Sequence, residues 1–105
     1  MPITNRAGGC VYRLNGEIDH HRAHRLTREL EQEIDTRLPG ALELDFSGVT
    51  FMDSSGIALV LRAKRGMDEL GGSLRLTHLP RQAERVLRTA GIHRMVDMNG
   101  DREEE

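Results

Sequence analysis

Phe51-Met52-Asp53-Ser54-Ser55-Gly56 runs directly into Ile57-Ala58-Leu59-Val60-Leu61. Apolar strand-end residues give way to a small polar cluster, and the cluster opens onto the longest wholly apolar run of the chain. Asp and Ser at such a junction accept hydrogen bonds from free backbone N–H groups, which caps a helix. The pattern predicts a strand ending near Met52 and a helix from Ile57 through Ala63 and Met67 to Leu70, where Gly71-Gly72 breaks it.

Upstream of the junction, Leu42, Leu44 and Phe46 alternate with Glu43 and Asp45, the period of a strand with one apolar and one polar face. Such a sheet is expected to be covered on one side only. Before it, from Asp19 onward, Ala23, Leu26, Leu30, Ile34 and Leu38 recur at steps of three and four among Arg and Glu, a helix with one buried stripe that Pro39-Gly40 stops. Cys10, Tyr12 and Leu14 alternate with Val11 and Arg13, and Asn15-Gly16 supplies a turn signal, so residues 9 to 18 read as a strand and its exit. A short strand near 2 to 6 is expected to pair with it through Gly8-Gly9.

Downstream, Leu74 and Leu76 flank Arg75 in a further strand. Pro80 then stands at the first turn of a helix bearing Ala83, Val86, Leu87 and Ala90, which Gly91 ends. Met95-Val96 is expected to form a last short strand, and residues 99–105 form an acidic, frayed tail. Strands alternating with helices imply right-handed crossovers and a largely parallel core sheet, an α/β fold.

The chain has 105 residues, 37% of them apolar, enough for one domain with its own core and too few for a second. The one cysteine, Cys10, excludes an intramolecular disulfide framework and fits a reducing compartment, with the cytoplasm as the expected location. No apolar run suits a membrane span or a signal peptide, so no membrane association is expected. Lys plus Arg number 15 against 17 Asp plus Glu, the basic residues are scattered, and Tyr12, Phe46 and Phe51 are the only aromatics. That composition lacks the basic footprint and stacking platform of a nucleic-acid binder.

Ser54 and Ser55 carry the chemistry of greatest interest. A helix N-terminus presents unpaired N–H donors and a partial positive charge, so a phosphate on either serine would be held there. Asp53 or Ser54 as a plain N-cap fits the same spacing, as does Asp19 capping the first helix. His20 and His24 lie four apart, as paired zinc ligands do, but no third ligand is placed by the sequence and Arg22 and Arg25 add repelling charge. A Ser55, His20, Asp53 hydrolytic triad lacks a Gly-x-Ser-x-Gly elbow. The expectation is no metal, no cofactor and no catalysis.

Leu14-Asn15-Gly16-Glu17-Ile18-Asp19-His20-His21, taken together with Phe51-Met52-Asp53-Ser54-Ser55-Gly56, resembles the STAS-domain anti-sigma factor antagonists. The likeness continues through Gly71-Gly72 and residues 73 to 77 to Ala90-Gly91-Ile92, nearly the whole chain in order. It implies a STAS fold, with a four- or five-stranded mixed sheet and helices mainly on one face. It also implies that Ser55 is phosphorylated by a partner that is both anti-sigma factor and serine kinase, with Ser54 as structural neighbour. Asp19, Asp53, Ser54, Ser55 and Gly56 then belong to the partner-binding surface. A serine phosphatase restores the unphosphorylated protein, which binds the anti-sigma factor and frees its sigma factor as a monomer or weak dimer.

Family members usually carry a final helix beyond the last strand, and here that helix is expected to be shortened or missing, leaving residues 1–98 as the domain. The competing reading keeps the fold and makes the chain a STAS subunit of a stress-signalling scaffold or lipid-transport complex, without serine switching.

Overall fold

The alternation of Cys10, Tyr12 and Leu14, of Leu42, Leu44 and Phe46, and of Leu74 and Leu76 builds one sheet face, and all eight side chains are buried. In the computed structural model, which describes residues 3–6 and 9–98, the strands are β1 (Ile3–Arg6), β2 (Gly9–Ile18), β3 (Ala41–Met52) and β4 (Ser73–Thr77). They lie in the order β1-β2-β3-β4. β1 is antiparallel to β2, whereas β2, β3 and β4 are parallel. The parallel pairs need crossovers, and helices α1 (His20–Arg37) and α2 (Ser55–Glu69) supply them.

Each helix reaches the sheet through one stripe. α1 buries Ala23, Leu26, Leu30 and Ile34, and α2 buries Gly56, Leu59, Val60, Ala63 and Met67. Burying each large aliphatic side chain is worth roughly 1.5–3 kcal/mol, so these stripes, more than helix propensity, hold the helices. Helix α3 (Arg81–Thr89) adds Ala83 and Leu87 to the same core. Across the surface of α1 and α2, Arg62 donates to both carboxylate oxygens of Glu31 at 2.8 and 3.2 Å.

The opposite sheet face is polar and self-paired. Arg13 stands opposite Asp45 in the ladder with Nε 3.5 Å from its carboxylate, and Arg75 stands opposite Glu43 at the same separation. The Thr77 hydroxyl donates to Glu43 at 2.7 Å. Burial pushes the Asp45 carboxyl upward, but hydrogen bonds from Ser47 and the charges of His78 and Arg13 outweigh it and hold the carboxyl below the usual range.

Two local expectations change. Asn15-Gly16 is not a turn: β2 continues to Ile18 through register shifts against β3 on either side of this pair, with Gly16 at φ +74°. Gly48 faces the irregularity, and a Cβ there would stand 2.7 Å from the Asn15 Cβ, so only glycine lets the strands stay paired. Met95-Val96 is not a strand. After Gly91, at φ +80°, Ile92–Arg94 forms a 3-10 turn, and Val96 N–H bonds to Ile92 O at 3.0 Å. Ile92 and Val96 are buried four residues apart, so their period is helical, and the extended segment shrinks to a parallel bridge between Asp97 and Arg75. The turn at Gly8 and the expected tail at 99–105 lie outside the described residues.

Candidate functional site

Parallel strands carry their following loops to one edge of the sheet, and here the ends of β2 and β3 are adjacent. Ile18 pairs with Met52, and the Asp53 N–H donates to Ile18 O at 3.1 Å. The two sequence motifs, distant along the chain, thus meet at neighbouring strand ends, with Asp19 leaving one and Asp53 leaving the other.

Asp19 is exposed and caps α1, its Oδ1 accepting from Arg22 N–H at 2.9 Å. The Arg22 side chain turns back over the preceding loop, donating to Asn15 O at 2.7 Å, Glu17 O at 3.0 Å and Asn15 Oδ1 at 3.2 Å. One guanidinium therefore ties down the strand end from which Asp19 projects. Its five-donor fork suits three acceptors on one segment.

At the second strand end, Asp53 Oδ1 accepts from Ser55 N–H at 2.8 Å. Ser54 is the N-cap by position, but its backbone is already helical and its hydroxyl caps nothing. The sequence left Asp53 and Ser54 as alternative caps, and the carboxylate fills that role one residue early. Ser54 is exposed and Ser55 half-buried. Ser55 Oγ lies 3.5 Å from His20 Nδ1 across the gap between α2 and α1.

Gly56 is buried beneath this turn. A Cβ at that position would stand 2.3 Å from Met52 Sδ, so α2 begins in contact with the end of β3 only because residue 56 has no side chain. From the other side, Gln82 of α3 accepts from Met52 N–H at 3.0 Å and donates to Met52 O at 2.8 Å. A side-chain amide here replaces the next strand of the ladder, satisfying both backbone groups just before Asp53.

A shallow cleft of about 180 Å³ between α1 and α2 is lined by His20, His24, Ser55, Ala58 and Arg62, among others. Among the described residues, no three His, Cys, Asp or Glu side chains gather as a metal-binding group, and no helix is long and apolar enough to cross a membrane. The geometry leaves Asp53 engaged with the Ser55 backbone, so Ser55, His20 and Asp53 do not line up as a relay. What the site offers chemically is one serine hydroxyl at a helix start, on a surface bordered by Asp19, Ser54 and two histidines.

Arg22 and Gln82 were not singled out by their sequence positions. Arg22 had a faint signal, three residues after a helix cap and seven after Asn15. Gln82 had none, because its partner is a backbone thirty residues away.

Comparison with known proteins agrees with this architecture. The chain is 27% identical over 100 residues to an anti-sigma F factor antagonist of Paenibacillus polymyxa, covering 95% of this chain and 78% of that protein. Its fold is similar to that of the anti-sigma factor antagonist SpoIIAA in its unphosphorylated form, with a TM-score of 0.77 and 25% identity over 90% of this chain and 83% of that one. The Bacillus cell fate determinant SpoIIAA in its phosphorylated form superposes with a TM-score of 0.69, also at 25% identity, over 90% of this chain and 86% of that one. The family model describing the STAS domain matches residues 1–105, and the chain belongs to the STAS domain family.

Proposed function

We propose that this protein is an anti-sigma factor antagonist, a cytoplasmic binding module that is switched at Ser55. Unphosphorylated, it binds an anti-sigma factor that is also a serine kinase, and the sigma factor held by that partner is released. Transfer of the γ-phosphoryl group of ATP to Ser55 Oγ, with ADP leaving, ends the binding, and a serine phosphatase reverses the change. In this reading the chain is substrate and ligand rather than catalyst.

The observation that carries the reading is the placement of Ser55. It is the first residue of α2, its N–H is fixed by Asp53, and its hydroxyl lies on the edge where Asp19 also projects. The similarity to an antagonist solved in both unphosphorylated and phosphorylated forms supports it. Phosphate adds about −1.5 to −2 charges. The start of α2 tolerates that charge through its dipole, while its placement beside Asp19 and Asp53 sets like charges together on the contact surface. The switch thus acts at the contact surface without refolding the domain.

The test is intact mass and fragment mapping after incubation with ATP and the candidate anti-sigma kinase, alongside a binding assay. One phosphate on Ser55 with loss of binding is the expected result, with Ser55→Ala binding constitutively and Ser55→Glu binding weakly. If both variants bind like the parent, the switch assigned to Ser55 is wrong and the chain works as a constitutive STAS subunit.

A further inference from the structure

His20 and His24 project from α1 into the cleft that holds Ser55, and the proposed switch does not use them. Resting on the reading of Ser55 as a phosphate acceptor, we propose that His20, seconded by His24, holds that phosphate across the cleft between α1 and α2, so that pH grades the charge of the phosphorylated surface.

Ser55 Oγ and His20 Nδ1 are 3.5 Å apart, too long for a strong hydroxyl-imidazole hydrogen bond. Phosphate oxygens extend beyond Oγ, so the same gap brings them within reach of Nδ1 with both helices in place. The cleft of about 180 Å³ gives them space, and its walls carry three nitrogen-bearing side chains, His20, His24 and Arg62. Arg62 is already engaged by Glu31 at 2.8 Å, which leaves the imidazoles as the groups whose charge can follow the phosphate.

The neighbourhood of His20 is mixed in sign. Just before α1 stands Asp19, capping Arg22 N–H, and on α1 are His21, with ring centroids 5.9 Å apart and edge-on, and His24. From the facing loop and α2 come Asp53, bound to the Ser55 N–H, and Arg62 with its partner Glu31. A phosphate entering here meets Asp53 as a repelling neighbour and the imidazoles as attracting ones. Imidazoles change charge between about pH 5 and 8, and the second ionisation of phosphoserine falls near pH ~6. The two titrations overlap, so each favours the charged form of the other. A protonated imidazole offsets part of the phosphate charge, and a neutral one leaves that charge expressed against a partner.

The experiment installs phosphoserine at position 55 during translation, which needs no kinase, and follows its phosphorus resonance as pH is varied. The expected result is a phosphate ionisation midpoint lower in the parent than in His20→Gln by about half a pH unit or more, with a smaller change in His24→Gln. Both histidines are exposed, and thermal melts check that the variants keep the fold. Identical midpoints in parent and both variants would overturn the cradle while leaving the Ser55 switch intact. A phosphoserine protein that still binds the anti-sigma factor like the unmodified one would instead sink the switch, whatever the histidines do.

Discussion

The side-chain amide of Gln82 holds both the N–H and the C=O of Met52, the last residue of β3, at 3.0 and 2.8 Å. Helix α3 is thereby latched to the backbone immediately before the serine turn. Replacing Gln82 by Ala removes two hydrogen bonds and leaves a strand end unpaired, at a cost of about 1–2 kcal/mol. Urea unfolding gives the total loss. Faster amide exchange at Asp53 and Ser55, beyond the global change, shows that the latch orders the turn, and unchanged local exchange refutes that role.

Gly56→Ala places a methyl against Met52 Sδ, within a core where Met52 is fully buried. Overpacking of this kind costs about 1–3 kcal/mol. Shortening Met52 to Ala in the same protein vacates the space, so the double variant is less destabilised than the two single losses added together. A strictly additive cycle would mean that the helix start relieves the contact by another route.

Tyr12 is the one tyrosine and there is no tryptophan, so phenolate absorbance reports it alone. Burial, with the charges of Glu29 and Glu33 behind it, raises its pKa to about 12 from 10.0, against a smaller opposing effect of Arg22. A raised folded pKa means that Tyr12 contributes stability in full below pH 10 and loses it as pH climbs from there towards 12. The expected titration therefore shows little phenolate near pH 10, a midpoint near 12 or a jump at alkaline unfolding, and a downward shift in Glu29→Gln. An ordinary midpoint in a protein still folded contradicts the buried, acid-flanked environment.

Asp45 is the opposite case. Its carboxyl lies below the ordinary 3.8 because Ser47, His78 and Arg13 outweigh the upward push of burial. Its contribution is present above about pH 4 and is lost as pH falls through the lowered folded value. Asp45→Asn is expected to be less stable than the parent at neutral pH, with the gap narrowing below about pH 4. Urea midpoints across that range test it, and a gap independent of pH assigns the loss to packing rather than charge.

Periodicity in this chain determined most of the fold. The two-residue alternation of Leu42, Leu44 and Phe46 and the three-four stepping from Ala23 to Ile34 are local signals, because side-chain direction repeats with the backbone. The resemblance carried by the motifs at Asp19 and Ser55 extended that reading to a family. Where two periods overlap, as between Ile92 and Val96, a short apolar pair looked like a strand until packing chose the helical turn. Asn15-Gly16 likewise has turn chemistry, but pairing with β3 absorbs it as an irregularity because Gly48 opposite leaves room.

The sequence by itself determined the main strands and helices, their order, the buried stripes and the serine cluster at a helix start. Only the tertiary structure decided what surrounds that cluster: Ile18 O on Asp53 N–H, Gln82 on Met52, and His20 facing Ser55. Those contacts join segments far apart along the chain, and no local period encodes them. They exist because parallel pairing brings the ends of β2 and β3 to one edge and the crossover helices then meet above it.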